Sequence, residues 1–281
     1  MTTIGEPVLD VTKPADDDMQ MWSVTTIIGC LDKPALLYWS AEEAASAAVH
    51  KQKTWQAILD DDGEDAAIKW IRDARFRRDK NLMTATELGS LVHDACEQYA
   101  LTGQRPLGID PEVEPFLDQF DGWLNKFQPE YTAAELTVYS PSYGYAGTAD
   151  AFMTVGGMRV IADYKSSRKS HDAQGRETSP YPEVGLQLAA YRWAECAAAF
   201  RARRYEKWRR RYYLLSADER AMAVPVPDVD GGIVIHITPT HCVAYPVLCD
   251  ETVHTAFLYI LEAARWQFDL SSRVIGPPLE V

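Results

Sequence analysis

The chain has 281 residues, 47% of them hydrophobic, which is enough for one large domain or two small ones, and one elaborated domain is favoured. No run of about 18 apolar residues occurs and the N-terminus lacks a basic stretch followed by an apolar one, so the sequence predicts a cytoplasmic protein with neither a membrane span nor a signal peptide. The net charge of −13 argues against non-specific coating of nucleic acid, and any contact with DNA must come from local positive patches.

The cysteines are scattered along the chain, at Cys30, Cys96, Cys196, Cys242 and Cys249. Their odd number and the lack of any Cys-x-x-Cys spacing favour reduced thiols over a disulfide framework. This usage agrees with a cytosolic location.

The first 20 residues have no apolar periodicity and carry Pro7, Pro14 and an acidic run at 16–18. This composition predicts a flexible N-terminal tail over residues 1–20. The remaining residues, 21–281, are predicted to form a single domain.

Two helical patterns follow the tail and predict an N-terminal helical extension. The first opens at Lys33-Pro34 and is rich in alanine, and the second covers residues 64–79, after an acidic turn. The second pattern ends in a basic cluster, which is also compatible with a solvated helix face.

A third helix is predicted from the capping box Thr84-Ala-Thr-Glu87, where Thr and Glu occupy the reciprocal positions. His93 lies off the apolar stripe of this helix, and the small residues Gly89 and Cys96 beside it let another element approach closely. A lone helical histidine is more often a packing or surface residue than a ligand, so this pattern alone leaves its role open.

Residues 133–165 alternate apolar and polar on both sides of Gly156-Gly157, which favours a hairpin because glycine tolerates positive φ. With those glycines as the loop, Val155 faces Met158, and the same register places Asp150 opposite Asp163. Cross-strand Cβ atoms lie about 4.5–5.5 Å apart, and like charges that close destabilise a sheet unless a positive charge lies between them.

Lys165 lies on the same face of its strand as Asp163, because side chains alternate with period 2. Two carboxylates on rigid strands, with a lysine beside them, suit Mg²⁺ or Mn²⁺. The remaining coordination positions of such an ion are filled by water and substrate phosphate. The sequence therefore predicts a metal site at Asp150 and Asp163. The competing interpretation is a solvated surface hairpin with an ordinary ion pair, worth about 0–1 kcal/mol.

A polar loop follows Lys165 and runs to Pro180 and Pro182. It is rich in Ser, Arg and Asp and could form a flap near a substrate. Arg168 and Lys169 in this loop are candidate phosphate contacts.

A long helix is predicted over residues 183–211, with Gln187 and Tyr191 four residues apart on one face. Its far end interleaves arginines with aromatic residues, which suits nucleic acid because guanidinium groups reach phosphates and rings stack on bases. A solvated amphipathic helix is the alternative. A strand pair over 232–248 and a helix over 251–268 close the chain.

Five motifs occur in the order Gly89-x-x-x-His93, Glu135, Gly147-Thr-Ala-Asp150, Asp163-Tyr-Lys165 and Gln187-Leu-Ala-Ala-Tyr191. This order resembles the PD-(D/E)XK nuclease superfamily, and within it the RecB-type exonucleases, including those of phages and the CRISPR-associated ones. The resemblance spans residues 22–248. It implies an α/β fold with a restriction-endonuclease-like core, in which a mixed central sheet is flanked by helices.

The resemblance also implies the ligands of a Mg²⁺ or Mn²⁺ ion. His93, Asp150 and Asp163 would bind the metal, joined by the backbone carbonyl of Tyr164. Glu135 resembles the additional acidic position of the family, which can bind a second metal ion or its water.

The remaining motif residues would act on the substrate. By the resemblance, Lys165 would orient or help to deprotonate the attacking water and stabilise charge on the phosphate. Gln187 and Tyr191 would bind substrate phosphate or support the site. The implied catalytic set is Lys165, Asp163, Asp150 and Glu135.

An iron–sulfur cluster is not expected. Relatives with a four-iron cluster use one cysteine before the core and three closely spaced cysteines near the end. Cys30 could match the first, but Cys242 and Cys249 lack a third close partner, and such clusters need four placed thiolates.

The function implied by the resemblance is metal-dependent exonucleolytic hydrolysis of DNA in recombination, repair or phage DNA metabolism, in the host cytoplasm if a phage encodes the chain. The expected partner is DNA, and a homo-oligomer or a recombination partner protein is also possible. Three alternatives stay open: an endonuclease of the same superfamily, a nonenzymatic DNA-binding or recombination-accessory protein with an inactive site, and a His-Asp phosphohydrolase.

Overall fold

The structure is a computed structural model of the chain, and it describes residues 10–11, 13–32, 34–76, 85–168, 170–171, 178–207 and 210–278. The chain divides into two compact units, one formed by residues 1–30 with 85–281 and the other by residues 31–84. The second unit contains the helices that the sequence predicts as an N-terminal extension. Thr84 of the predicted capping box lies outside the described residues.

The helices of the described residues are, in chain order, α1 (Val24–Ile28), α2 (Pro34–His50), α3 (Gln52–Asp62), α4 (Glu64–Arg72), α5 (Ala85–Thr102), α6 (Glu114–Phe127), α7 (Glu183–Arg192), α8 (Ala217–Ala221) and α9 (Glu251–Phe268), with short 3-10 helices at Asp73–Phe76 and Leu270–Arg273. Gly63 separates α3 from α4 with a φ of 88°, a value that glycine adopts at little cost. None of these helices is both long enough and apolar enough to cross a membrane.

The strands of the described residues are β1 (Asp10–Val11), β2 (Met19–Ser23), β3 (Glu130–Ser140), β4 (Tyr145–Val155), β5 (Met158–Ser166), β6 (Cys196–Ala198), β7 (Arg203–Lys207), β8 (Arg210–Leu215), β9 (Ala223–Val224), β10 (Gly231–Ile237) and β11 (Cys242–Val247). Two of them, β1 and β2, include residues from the part of the sequence predicted as a flexible tail. The side chain of Asp18, between them, is buried in an ion pair with Arg203.

All of these strands join one mixed sheet in the order β1-β7-β8-β2-β4-β3-β6-β9, and β5 branches from β4 to reach β10 and β11. The pairs β3–β4 and β4–β5 are antiparallel, whereas β5–β10 and β2–β4 are parallel. The helices α5 and α7 contact the strands β4 and β5. The predicted fold class, a mixed α/β sheet flanked by helices, is therefore confirmed.

The core lies between the sheet and these helices, and its largest fully buried side chains include Phe116, Phe120, Tyr139, Tyr145, Phe152, Ile161, Leu188 and Phe257. Burying each large apolar side chain contributes about 1.5–3 kcal/mol. This packing makes β4 and β5 rigid supports for the polar residues at their adjoining ends.

The β4–β5 hairpin has the predicted register, with Val155 paired with Met158 across Gly156 and Gly157. The two glycines have φ values of 57° and 81°, which a tight two-residue turn requires. The ladder continues with the same register as far as Ala151 and Ala162. It stops immediately before the two aspartates that the sequence predicts to face each other.

The predicted long helix over 183–211 is wrong beyond Arg192. The arginine-rich segment instead forms the antiparallel pair β7–β8, in which Tyr213, Leu214 and Leu215 are buried. Aromatic and branched residues favour strands, and β8 also gains a full ladder with β2, so tertiary pairing outweighs the helical propensity of the arginines. Trp208 and Arg209 lie outside the described residues.

Candidate metal centre

Three buried carboxylates lie at adjoining positions of three neighbouring strands. Ala134 pairs with Ala151, and Leu136 with Ala149, so Glu135 of β3 lies beside Asp150 of β4. Asp163 of β5 follows the last paired residue of the hairpin and lies beside Asp150 on the other side. The exposed fractions are 9% for Glu135, 7% for Asp150 and 1% for Asp163.

Glu135 has a left-handed backbone with a φ of 50°. Such a conformation is uncommon for a residue other than glycine and costs about 1–3 kcal/mol, which surrounding structure must support. Its neighbours Ala134 and Leu136 keep their partners on β4. The strain is therefore confined to the residue whose carboxylate joins the site.

His93 reaches this row of carboxylates from α5. Its Nε2 atom lies 3.0 Å from Asp150 Oδ1 and 3.6 Å from Glu135 Oε1. Gly89, one turn earlier, lies close to β5, and a Cβ there would make an ordinary van der Waals contact at 3.5 Å from Ser166 Oγ. The negative charge of Asp150, with the hydrogen bond to it, raises the pKa of His93 to about 9 despite burial of the ring.

Asp163 is held from two sides. Lys165 Nζ lies 2.5 Å from its Oδ2 atom, and Gln187 of α7 donates a hydrogen bond from Nε2 to its Oδ1 atom at 2.7 Å. The Lys165 side chain is 42% exposed, whereas that of Asp163 is 1% exposed. The ammonium group thus lies between a buried carboxylate and the protein surface.

The acids carry more negative charge than the two cations neutralise. Burial, together with the charge of Asp150, raises the pKa of Glu135 to about 7 and that of Asp163 to about 6. Burial acts in the same direction on Asp150, but the charge of His93 outweighs it and keeps the pKa of Asp150 below its ordinary value. A site with this surplus attracts a cation.

The donor atoms fit a divalent metal ion. The ligand atoms of His93, Glu97 and Glu135 lie within 4.8 Å of one another, a group that shares His93 with the predicted ligands but includes neither Asp150 nor Asp163. Among the described residues, Glu135 Oε1 is buried without a hydrogen-bond partner, whereas the buried Oδ2 atom of Asp163 has the ammonium group of Lys165 beside it. A carboxylate-rich set with one imidazole suits Mg²⁺ or Mn²⁺.

Glu97 was missed by reasoning from the sequence. It lies four residues after His93 on α5, a spacing that brings two helical side chains to one face and that could have identified it. Its carboxylate is ion-paired with Arg201. The predicted contribution of the Tyr164 carbonyl stays a prediction, while the Tyr164 N–H donates to Asp150 Oδ2 at 2.8 Å.

The other predicted substrate contacts take different places. Tyr191 is buried, and its ring lies so close to Gly147 that a Cβ there would come within 2.3 Å of Tyr191 Cε1. Arg168 is ion-paired with Glu112 at 3.0 Å. Lys169 lies outside the described residues.

Comparison with known proteins gives little guidance. No family model and no curated protein matches the chain. One similar solved structure, described as the crystal structure of SSO0001, has 13% sequence identity over 92% of this chain and 87% of that chain, with a TM-score of 0.33. Likeness at this level carries no functional argument, so the residues themselves must supply one.

Proposed function

We propose that the chain is a divalent-metal-dependent deoxyribonuclease with a restriction-endonuclease-like core, and that it acts as an exonuclease. The observation that carries the proposal is the setting of Asp163, which is buried beside Asp150 and held by Lys165 and Gln187. His93 and Glu135 complete the set, with His93 Nε2 3.0 Å from Asp150 Oδ1 and 3.6 Å from Glu135 Oε1. The motif order of the PD-(D/E)XK nucleases supports the same conclusion.

Hydrolysis of a phosphodiester requires stabilisation of the negative charge that develops on the phosphoryl oxygens. Asp150 and Asp163 would hold the metal ion together with His93, which would release its proton on binding the ion, and Glu135 would lie beside them. When bound, a Mg²⁺ or Mn²⁺ ion would polarise the phosphate and lower the pKa of a water molecule.

Lys165 supplies the cation of the protein itself. Burial acts to lower its pKa, but the carboxylates of Asp163 and Asp150 outweigh burial and raise it. The side chain is therefore an ammonium ion at neutral pH, able to orient the phosphate and to stabilise charge on it. In this state it acts as an electrostatic group rather than as a base.

Gln187 has a supporting role in the same reaction. Its amide N–H donors are directed to the Oδ1 atom of Asp163, which fixes the orientation of the carboxylate. The second carboxylate oxygen, Oδ2, then faces Lys165. Such orientation by a neighbouring side chain is typical of metal sites, where partners of the ligands tune affinity.

The experiment is the degradation of linear single- and double-stranded DNA, labelled at either end, beside closed circular DNA, with Mg²⁺ or Mn²⁺. Asp163→Asn removes the central carboxylate. Asp228→Asn is the matched control, because Asp228 is exposed and pairs with Arg159, which lies near the loop end of the hairpin, away from the site.

We expect mononucleotide release from linear DNA, no cleavage of circles, and loss of activity in Asp163→Asn alone. Nicking of circular DNA by the parent chain would instead identify an endonuclease. DNA binding without any cleavage, equal in both variants, would contradict the proposal and favour an accessory protein.

A further inference from the structure

Two arginines that the sequence placed in a helix lie beside the metal centre. Arg201 forms an ion pair with Glu97 on α5. Ala202, the next residue, donates its N–H to Thr137 Oγ1 at 3.3 Å, and Thr137 lies two residues after Glu135 on β3. The start of β7 is therefore fixed against the strand that carries Glu135.

Arg204 lies on the face of the sheet that also carries the carboxylates of the metal centre. It is directly opposite Tyr213 on β8, and cross-strand partners share a face of the sheet. The Tyr213 hydroxyl is 2.9 Å from Thr148 Oγ1, and Thr148 is two residues from Asp150 on the same face of β4. The row Arg204, Tyr213, Thr148 thus ends at the metal centre.

The guanidinium group of the neighbouring Arg203 has carboxylate partners within the chain. It contacts Asp18 at 2.5 and 3.0 Å and Glu219 at 3.0 Å. The Nε atoms of Arg201 and Arg204, by contrast, are buried and have no hydrogen-bond partner among the described residues. Arg201 differs from Arg204 in that a terminal nitrogen of its guanidinium is ion-paired with Glu97. Burial of an unpaired donor of a charged group is costly, and an anion beside the two guanidinium groups would offset that cost through their charge.

The two guanidinium groups also act on each other and on the site. Burial and the charge of Arg204 lower the pKa of Arg201. The charge of Arg204 acts on Glu135 as well, where it opposes the rise in pKa. A guanidinium presents a planar fork of N–H donors that matches two phosphate oxygens, so an anion between these arginines would relieve their repulsion and satisfy their donors.

We propose that Arg201 and Arg204 form a subsite for a phosphate of the substrate strand other than the phosphate that is hydrolysed. This inference rests on the proposed nuclease function and names the residues that hold the strand beside the site. In a chain with a net charge of −13, local groups of this kind must supply the attraction for DNA. The phosphate belongs either to the internal backbone or to a strand end.

The test measures binding of a fluorescent single-stranded oligonucleotide by anisotropy, over a series of salt concentrations, in the full-length Asp163→Asn chain with Mg²⁺. Arg204→Gln and Arg201→Gln are each compared with Arg159→Gln, which removes the same charge from an exposed arginine near the hairpin loop. We expect the Kd to rise about tenfold in each subsite variant and to stay within about twofold in the control. The slope of log K against log salt should fall by about 0.7 for each lost phosphate contact.

Thermal unfolding separates this role from a structural one. Because Arg204 Nε has no partner, Arg204→Gln should keep a Tm no lower than that of the Arg159→Gln control while it loses DNA affinity. Arg204→Lys keeps the charge without the fork, so it should give an intermediate Kd and serves as a second variant if Arg204→Gln unfolds.

Oligonucleotides with phosphate or hydroxyl ends identify the source of the phosphate. A loss of affinity in the variants on every substrate indicates the backbone, and a loss only on DNA with a terminal phosphate indicates a strand end. If folded variants bind with the Kd and salt slope of the control while the parent chain binds and cleaves DNA, the subsite is wrong. If the parent chain neither binds nor cleaves DNA, the proposed function itself fails.

Discussion

Asp150 Oδ2 accepts a hydrogen bond from the backbone N–H of Tyr164 at 2.8 Å, at the position where the ladder between β4 and β5 has ended. A side-chain carboxylate thus takes the acceptor place of a backbone carbonyl. The bond orients Asp150 through the sheet itself and leaves its Oδ1 atom for His93. The hairpin therefore both positions and aims the carboxylate.

Replacement of Lys165 by methionine should abolish most of the activity and leave the fold intact. The variant keeps the side-chain length but removes the charge that we propose acts on the phosphate, so we expect kcat to fall about 10²–10³-fold. Asp163 can take up a proton when its ion pair is lost, because its pKa is already raised to about 6. Single-turnover cleavage measures the effect, with Lys53→Met on an exposed part of α3 as the control.

Gln187→Met should weaken metal use more than DNA binding. Methionine fills a similar volume but cannot donate to Asp163 Oδ1, so the carboxylate loses its orientation. Loss of such a supporting partner typically costs about 10–100-fold in metal affinity or activity. Cleavage over a Mn²⁺ titration should show a higher half-saturating concentration, and an unchanged titration would contradict the role given to Gln187.

Glu135→Gln should stabilise the metal-free chain while it weakens metal binding. The buried Oε1 atom has no hydrogen-bond partner among the described residues, and Asp150 repels the charge. Thermal unfolding in EDTA should give a higher Tm for the variant than for the parent chain. Added Mn²⁺ should raise the Tm of the parent chain more than that of the variant. A ligand present at 100 times its Kd adds about 2.7 kcal/mol to the free energy of unfolding, and the variant binds the ion more weakly.

Gly147→Ala should destabilise the chain through its contact with Tyr191. The new Cβ would come within 2.3 Å of Tyr191 Cε1, and overpacking of this kind typically costs about 1–3 kcal/mol. Urea unfolding measures the loss. In a Tyr191→Leu background the same substitution should cost much less, whereas Gly122→Ala, which meets no atom within 4 Å in α6, should not destabilise.

His254 should make the fold less stable at acid pH. Its ring is buried against Trp193 and Phe257, and burial lowers its pKa below the ordinary value of about 6.5. The unfolded chain therefore takes up a proton at His254 more readily, and stability is lost as the pH falls below about 6.5. The charge of Glu251 acts in the opposite direction but does not reverse the shift.

The comparison is between the parent chain and His254→Gln, unfolded in urea at about pH 7.5 and about pH 5.5. Tyr145 donates to the Ala190 carbonyl, so it accepts from His254 Nε2, and a glutamine amide can replace that donor. The variant should lose less stability between the two pH values than the parent chain. An equal loss in both would show that His254 does not titrate as described.

Much of the site could be predicted because it depends on local patterns. The Gly156-Gly157 loop and the alternation beside it fix the register of the hairpin, and the register alone brings Asp150 and Asp163 together. The setting of Asp163 between Lys165 and Gln187 agrees with the predicted face of the strand and with the predicted helix.

The parts that could not be predicted depend on distant pairings. The strand β8 forms because β2, nearly 200 residues earlier, offers a ladder, as in the pair of Met19 with Leu215, and β7 pairs with β8 in turn. The contact of Glu97 with Arg201 follows from that arrangement. The left-handed backbone of Glu135 has no signal in a sequence, since glutamate rarely adopts it.

The strand β2 has a consequence for the whole sheet, because it lies between β8 and β4 and joins both. Met19–Trp22 pair with β8, while only Trp22 and Ser23 pair with β4. The five residues of β2 therefore determine the distance between the arginines of β7 and the aspartates of β4 and β5. A change in the bulk of the fully buried Met21 would alter that spacing without touching either charged group.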